Sequence, residues 1–358
     1  MAYILSIKLG IVMKDIDTKN LVLHIFFSVV SMFVMCMPAI AEESSSSDFM
    51  SGFNLGGYSS AGITTSRTED TEAAINEISL LLTWNGDSRW SFFGELELED
   101  PLSWNDERKF NTKESHIDLE RLYLDYNLSE NTNIRIGRFL TPNSRWNLLH
   151  ASPLVWTSTR PLATYRLFPM ATNGLMLHGS LPVNDYAVDY MLFGEVVEDQ
   201  KDDRSDLTFE HVYGARIALS KQWNLGISAL SFREKNILAL NGQSKNYHML
   251  GMDFITHFSG IELSGEAFAR FAPNGDDSGS GAYLQTAVPL NVLGLKDWYW
   301  LTRIETLQRP VEGNSERWLT GATWRVKPTQ LLKLEFAGGS SEQPESPRGF
   351  IASYAFFF

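Results

Sequence analysis

The chain has 358 residues, of which 44% are hydrophobic and 20% charged, and its formal net charge at pH 7 is −13. This excess of acidic residues argues against any role that requires the neutralisation of phosphates, so no nucleic-acid partner is expected. A mean hydropathy of −0.15 excludes a protein built mainly of membrane-spanning helices, and the length suits one large domain.

The first 41 residues have the pattern of a secretory signal peptide. Lys14 and Lys19 precede an apolar segment at 21–37, and the small-x-small sequence Ala39-Ile40-Ala41 follows it. We therefore predict a cleaved signal peptide over residues 1–41 and export through the Sec pathway. A retained N-terminal membrane anchor is the alternative.

Cleavage at this position also removes Cys36, which is the single cysteine of the chain. The exported part then has neither disulfide bonds nor thiol chemistry. The Ser-rich residues 42–51 are predicted to form a short flexible tail. Residues 52–358 are predicted to form a single barrel domain, for the reasons that follow.

From residue 52 onward, runs of about ten residues alternate apolar with polar or small side chains. In the run from Trp90 to Glu99, the carboxylates of Glu95, Glu97 and Glu99 fall on one side of an extended strand, because strand side chains alternate between two faces. Sixteen such runs are predicted, at 52–66, 75–84, 89–99, 117–127, 133–140, 174–181, 186–196, 211–219, 223–232, 247–258, 261–271, 281–290, 297–308, 317–326, 331–337 and 349–358.

The connections between these runs are alternately short and long. Transmembrane β-barrels show this alternation because short turns lie at the periplasmic end and long loops lie outside. The fold class is therefore predicted as all-β, an antiparallel transmembrane barrel of about sixteen strands. A soluble β-sandwich is the alternative. Aromatic residues near the run ends, such as Trp90, Trp298 and Trp324, favour the barrel because they suit a membrane interface.

The segment Arg348 to Phe358 reads RGFIASYAFFF, and an exposed strand this apolar would promote aggregation in water. It is stable if both edges are paired in a closed barrel and its outer row faces lipid. This aromatic ending resembles the Gram-negative outer-membrane β-barrel family. The resemblance implies a location in the bacterial outer membrane, with outer-membrane lipid and lipopolysaccharide as partners.

The rows opposite the apolar ones are charged, and their burial in a dry core would cost several kcal/mol per group. A water-filled interior avoids this cost, and a barrel of about sixteen strands is wide enough for one. A plugged barrel with charges paired between strands is the alternative. The residues expected to point inward are Glu95, Glu97, Arg121, Tyr123, Asp125, Arg135, Asp189, Glu195, Arg216, Asp253, Glu262, Glu266, Arg303, Glu305, Arg325, Lys333 and Glu335.

The connection from Thr141 to Asn173 is unusually long and too apolar to stand in solvent. We expect it to fold into the barrel and pack against the wall. It is the third external loop, so the chain resembles the general diffusion porins, in which this loop forms the constriction. The resemblance implies a homotrimer. The segments GRFLTP, RWNLLHASPLVW and STRP are also similar to sequences of the phosphate-selective porin group.

The pore constriction is predicted from charged residues of this loop and of the facing wall. Guanidinium groups opposite wall carboxylates would create a field across the lumen. The alternative for each arginine is a structural salt bridge. The candidate constriction residues are Arg138, Arg145, Arg160, Arg166, Glu95, Glu97, Arg121, Asp125 and Arg135.

No motif predicts catalysis, a cofactor or a metal site. His150 and Ser152 fall on one side of an extended segment but lack an identifiable third partner. The acidic segments 199–206 and 274–279 are expected to be solvated loop tips rather than calcium sites. The predicted function is a porin, without enzymatic activity, for passive diffusion of small hydrophilic solutes or ions. The alternatives are an anion- or phosphate-selective channel, and a closed barrel that acts as a surface binding protein or lipid-modifying enzyme.

Overall fold

The fold is taken from a computed structural model. It describes residues 52–65, 71–86, 89–105, 107, 109–112, 114–198, 207–236, 240, 243–309, 313–341 and 348–358. The predicted signal peptide and tail, and the acidic segment 199–206, lie outside the described residues. Among the residues described, no helix has the length and apolar character needed to cross a membrane.

Alternation between inward and outward side chains produces a long series of strands. The seventeen strands of the described chain are β1 (Phe53–Thr65), β2 (Glu72–Asn85), β3 (Trp90–Asn105), β4 (Lys109–Asn111), β5 (His116–Ser129), β6 (Thr132–Leu140), β7 (Ala171–Val183), β8 (Tyr186–Glu195), β9 (Leu207–Ser220), β10 (Trp223–Asn236), β11 (Ser244–Phe258), β12 (Ile261–Phe271), β13 (Asp277–Pro289), β14 (Trp298–Arg309), β15 (Gly313–Lys327), β16 (Gln330–Ser341) and β17 (Gly349–Phe357).

Sixteen of these strands close into an antiparallel barrel. Each pairs with its neighbour along the chain, and β17 returns to pair with β1, with Tyr58 opposite Phe357 and Thr65 opposite Phe350. The three-residue strand β4 is an addition at the end of β3, which continues its own ladder with β5. The prediction of a closed barrel of sixteen strands is confirmed.

The strands extend further than predicted at the end that carries the long loops. The predicted connections 67–74 and 100–116 are partly strand, because β2 already begins at Glu72 and β3 continues to Asn105. The strands were predicted from rows of apolar side chains on the outer face, and such rows are needed only where that face meets lipid. Ladder hydrogen bonds join backbone groups, so polar segments continue the sheet beyond that band.

The outer face is apolar and the inner face polar, as the alternation predicted. Leu122, Leu192 and Ile304 are 44%, 58% and 57% exposed on the outside, which matches a surface covered by lipid. Inward-facing Glu95 and Arg303 are buried inside the barrel. A bulge in β5 lets Leu119 and Leu122 both face outward although only two residues lie between them, which in a regular strand would put them on opposite faces.

The terminal strand β17 lies between β1 and β16, so neither edge is left open. Phe358 and Gly57 exchange backbone hydrogen bonds of 2.9 and 3.0 Å. Phe350 and Tyr354 are exposed on the outer face, whereas Ile351 on the inner face is buried. The aggregation hazard of this apolar segment is removed because its edges are paired.

The segment from 141 to 170, called the inner loop below, fills part of the barrel. Its two ends are tied by Asn147, whose Nδ2 donates to the carbonyl oxygens of Thr141 and Met170, both at 2.8 Å. It contains a one-turn helix at Arg145–Leu148 and a 3-10 turn at Leu162–Thr164. The apolar cluster that it forms with the wall consists of Phe139, Leu162, Ala163, Leu167, Phe168, Met176, Phe193, Val212, Leu230, Phe232, Tyr247, Met249, Phe268, Tyr283 and Leu307.

Gly281 on β13 permits the close approach of the inner loop. A Cβ at this position would lie 2.8 Å from the Ala163 Cα and 3.2 Å from the Leu167 Cδ1. Gly281→Val is therefore expected to weaken loop packing by about 1–3 kcal/mol and to increase the rate of tryptic cleavage after Arg166, which is followed by Leu167. Ala282→Val, on the outer face of the same strand, is the control. Equal cleavage rates in the two variants would contradict this packing.

Candidate functional site

The inner loop has little regular secondary structure, and charged side chains of the wall bind its backbone. Arg303 on β14 is 0% exposed. Its Nη1 donates to Thr157 Oγ1 at 2.7 Å, and its Nη2 donates to the carbonyl oxygen and Oγ1 of Thr159 at 3.0 and 2.8 Å. One buried guanidinium therefore fixes three acceptors of the loop.

Glu305, two residues further along β14, connects this arginine to the next strand. It accepts hydrogen bonds from Arg303 Nε at 3.1 Å, from Arg317 Nε at 2.6 Å and from the Leu162 backbone N–H at 2.7 Å. Arg317 on β15 in turn donates from Nη2 to the Arg160 carbonyl oxygen at 2.6 Å. The buried charges on β14 and β15 thus compensate one another and hold the loop.

Strand β16 uses the same kind of contact. Lys333 Nζ donates to the carbonyl oxygens of Ser152 and Thr157 at 2.8 and 3.0 Å. The carboxylate of Glu335 accepts from the Ser158 backbone N–H at 2.7 Å. A hydrogen bond with a charged partner contributes about 1.5–3 kcal/mol, so these contacts account for the defined path of an irregular segment.

On the other side of the loop, β12 carries two more acceptors. Glu266 accepts from the Trp146 backbone N–H at 2.6 Å, and Glu262 accepts from Trp156 Nε1 at 3.0 Å. The aromatic ring of Trp156 also lies beneath the guanidinium of Arg325, at 5.2 Å. The inner loop therefore lies against the wall, as predicted, and charged side chains from β12, β14, β15 and β16 hold it there.

A cavity of about 560 Å³ lies between the inner loop and the wall. Its charged lining falls into two groups of opposite sign. The acidic group comes from β2, β3 and the segment before β5, and the basic group comes from the inner loop, β14 and β15. The acidic residues are Glu72, Glu77, Asp100 and Glu114, and the basic residues are Arg160, Arg166, Arg309 and Arg317.

Two of the nine predicted constriction residues, Arg160 and Arg166, line this cavity. Arg160 Nε donates to the Thr164 carbonyl oxygen at 3.1 Å, and its guanidinium lies 4.5 Å above the Trp146 ring. Burial lowers the pKa of Arg160 to about 10, so the side chain stays positively charged at neutral pH. Arg166 has a φ of 60°, a backbone conformation that non-glycine residues seldom adopt.

Glu95, Glu97 and Arg121 instead form a network within the wall, outside the cavity lining. The Tyr58 hydroxyl lies 2.9 Å from Glu95 Oε1 and 3.0 Å from Glu97 Oε2. Ser79 donates to Glu97 at 2.7 Å, and Arg121 forms an ion pair with Glu95. These residues face inward as predicted, but their side chains are bound to one another and to Tyr58 on β1 and Ser79 on β2.

The pair Asp125 and Arg135 also bridges adjacent strands. Arg135 donates to both carboxylate oxygens of Asp125 at 2.8 Å and stacks 3.7 Å from the Tyr123 ring. Arg138 Nη1 donates to Asn173 Oδ1 at 3.2 Å, next to the end of the inner loop. Arg145 begins the one-turn helix. The assignment of these residues to a constriction stays a prediction.

Sequence reasoning missed most of the cavity charges. Arg309 was placed in an external connection but ends β14, and Arg317, the first residue of the predicted run 317–326, was not among the residues expected to point inward. The missed acidic residues belong to the same part of the barrel, beyond the apolar outer band. For Arg309 and Arg317, the signal that could have found them is the continuation of period two into the polar segments.

His150 and Ser152 are held by the inner loop and its anchor. His150 Nδ1 lies 3.0 Å from the Asn147 carbonyl oxygen, and its ring stacks on Trp146 at 5.8 Å. Burial, with the nearby Arg160 charge, lowers the pKa of His150. The Ser152 carbonyl oxygen accepts from Lys333 on β16, so His150 contacts the inner loop itself and Ser152 contacts the wall.

Comparison with known proteins gives matches only at the level of structure: no family model and no curated protein matches the chain. An anion-selective porin from Comamonas acidovorans is 13% identical, with a TM-score of 0.57 over 86% of this chain and 98% of that chain. The outer membrane channel DcaP of Acinetobacter baumannii is 10% identical, with a TM-score of 0.54 over 86% and 97%. OmpT, an outer membrane protein of Vibrio cholerae in its trimer form, is 6% identical, with a TM-score of 0.57 over 86% and 99%. The chain therefore has the sixteen-stranded barrel fold of outer-membrane porins.

Proposed function

We propose that the protein is an outer-membrane porin, which forms a water-filled channel for passive diffusion of small hydrophilic solutes or ions. The observation that carries the proposal is the cavity between the inner loop and the wall, lined by charges of both signs. A barrel of this size leaves an aqueous lumen, and the inner loop narrows it. The outer apolar band supports insertion into lipid.

The two charged groups would act on any solute in this passage. Carboxylates from β2 and β3 face the same cavity as arginines from the inner loop and β14–β15. Fixed charges that line a pore select among ions, and opposite charges on facing walls orient polar molecules between them. Solutes would therefore pass through the channel chemically unchanged, and the protein is proposed to have no enzymatic activity.

The remaining parts of the proposal concern location and assembly. Residues 1–41 would direct Sec export as a cleaved signal peptide, and outer-membrane lipid and lipopolysaccharide would contact the apolar band. A homotrimer is proposed because OmpT of Vibrio cholerae is described in a trimer form. Chemical crosslinking of the detergent-solubilised protein would test this assembly.

Reconstitution into a planar lipid bilayer tests the proposed function directly. The refolded protein is expected to produce discrete, ohmic conductance steps, because a permanently water-filled lumen conducts in proportion to the voltage. Heat-denatured protein at the same concentration is the control. A folded barrel that inserts into the membrane without any conductance would contradict the porin proposal and favour a closed barrel with a binding role.

The second candidate is an anion-selective channel. Four arginines line the cavity, and one neighbour in structure is an anion-selective porin. Acidic residues line the same cavity in equal number, so the sign of the selectivity depends on which group lies nearer the ion path. The sign of the reversal potential under a KCl gradient shows whether the channel prefers anions or cations.

A further inference from the structure

Three potential metal ligands meet at the end of the barrel that carries the long loops. Glu99 on β3 lies directly opposite His116 on β5, and Asp118 is two residues beyond His116 on the same face. No sequence motif predicts this group, because its members are brought together by the register of two strands. It lies next to the cavity, whose lining includes Asp100 and Glu114.

The imidazole of His116 is oriented by a backbone contact. Its Nδ1 lies 2.9 Å from the Glu114 carbonyl oxygen, so Nδ1 carries the proton and donates it. Nε2 then presents a lone pair at 3.0 Å from Glu99 Oε2 and 3.4 Å from Asp118 Oδ2. Metal-binding histidines are commonly fixed in this way by a hydrogen bond from the other ring nitrogen.

The spacing of the three ligand atoms fits a small divalent ion. Two ligands that are each 2.0–2.1 Å from a tetrahedral zinc ion are separated by about 3.3 Å. The separations of 3.0 and 3.4 Å from Nε2 lie close to this value, and all three ligand atoms lie within 4.8 Å of one another. The side chains of His116, Glu99 and Asp118 are 23%, 36% and 46% exposed, so an ion can reach them.

We propose that Glu99, His116 and Asp118 form a binding site for a first-row divalent transition metal such as Zn²⁺. One imidazole and two carboxylates suit such ions better than Mg²⁺ or Ca²⁺, which prefer oxygen ligands alone. Three protein ligands leave a coordination position for water. The bound ion would join β3 to β5 and add positive charge beside the acidic group of the cavity.

Two other arrangements compete with this assignment. In the first, His116 is doubly protonated and simply forms ion pairs with both carboxylates. In the second, the metal binds elsewhere, and Glu198, Glu210 and His211 form the other group of suitable spacing among the described residues. Titration with Zn²⁺ distinguishes both alternatives from the proposed site.

Isothermal titration of the refolded, detergent-solubilised barrel with Zn²⁺ at pH 7.5 tests the site. His116→Ala is expected to weaken binding at least tenfold, and Glu99→Gln and Asp118→Asn to weaken it similarly. His257→Ala is the matched control, because His257 contacts one carboxylate, Glu262, at 3.3 Å. It is expected to bind Zn²⁺ like the unmodified protein.

Two results would overturn the proposal. If the unmodified barrel binds no Zn²⁺, or His116→Ala binds it as tightly as the unmodified protein, the three residues form only an ion-pair cluster. If His211→Ala removes binding and His116→Ala does not, the metal occupies the other group. A Co²⁺ absorption spectrum of each folded variant provides a second readout of the ligand set. Neither measurement depends on conduction, so its outcome is separate from that of the porin proposal.

Discussion

Replacing Arg303 with methionine is expected to loosen the inner loop around Thr157 and Thr159 and to increase the single-channel conductance. The guanidinium is fully buried and donates to Thr157, Thr159 and Glu305. Its removal leaves the Glu305 carboxylate buried with Arg317 as its remaining charged partner. The loop also loses the hydrogen bonds that Arg303 donates to Thr157 and Thr159, each worth about 1.5–3 kcal/mol with a charged donor, so this part of the loop is expected to become mobile.

Arg303→Lys separates charge from geometry at this site. Lysine keeps a positive charge beside Glu305 but lacks the planar fork that reaches both threonines. We expect a loss of about 1–3 kcal/mol and an intermediate conductance. The quantities to measure are the conductance in planar bilayers and the rate of tryptic cleavage after Arg166 in the inner loop.

Arg325→Met is the matched control for this experiment. Arg325 also faces the inner loop, where its guanidinium lies 5.2 Å from the Trp156 ring, and an exposed cation–π pair contributes about 0.5–1 kcal/mol. Its conductance is expected to stay near that of the unmodified protein. If Arg303→Met shows unchanged conductance and unchanged protection from trypsin, the buried network does not hold the loop.

The barrel itself could be predicted from sequence because the pattern that defines each strand lies within about ten consecutive residues. Side chains alternate with period two, so each run such as Trp90 to Glu99 reveals both its strand and its faces. Closure followed from the apolar strand at Arg348 to Phe358, since such a strand needs both edges paired. The position of the inner loop followed from its many apolar residues, which need burial.

The acidic side of the cavity could not be predicted in the same way. Glu72 and Glu77 are five residues apart, so strict alternation puts them on opposite faces. The structure contains a bulge at Asn76, which shifts the register with both β1 and β3 and brings both carboxylates to the lumen. A bulge depends on the pairing of three strands, and no pattern within β2 alone reports it.

The predicted roles of Glu95 and Asp125 illustrate a second limit. Parity placed both inside the barrel, and both are there. Their partners, Arg121 and Arg135, lie on adjacent strands at registers that only the folded sheet defines. A carboxylate already bound by a neighbouring guanidinium contributes little field to the lumen. The sequence therefore predicted that both carboxylates face the lumen, but not that neighbouring arginines bind them.

Removing positive charge from the inner loop is expected to shift the ion selectivity toward cations. Arg160 and Arg166 line the cavity together with the acidic group. A unit charge about 8 Å from an ion in an aqueous lumen contributes about 0.5–1 kcal/mol. Each change, Arg160→Gln or Arg166→Gln, should therefore raise the cation-to-anion permeability ratio about two- to fivefold, measured as the reversal potential under a KCl gradient.

Charge and structure must be separated for Arg160, because it also contacts Thr164 and Asn147. Arg160→Lys keeps the charge and is expected to leave the reversal potential near its original value. Glu77→Gln, on the acidic side, is expected to shift the potential in the opposite direction. Since the pKa of Arg160 is about 10, its effect should be constant between pH 6 and 8, whereas raising the salt concentration should reduce it through screening.

The combination of variants distinguishes a field from a steric change. If a field across the cavity sets the selectivity, Arg160→Gln and Glu77→Gln shift the reversal potential in opposite directions, and the double variant returns it toward the original value. If the inner loop acts only by narrowing the lumen, all of these variants change the conductance and leave the reversal potential unchanged. The second result would contradict the assignment of Arg160 and Arg166 to ion selection while leaving the barrel and its inner loop in place.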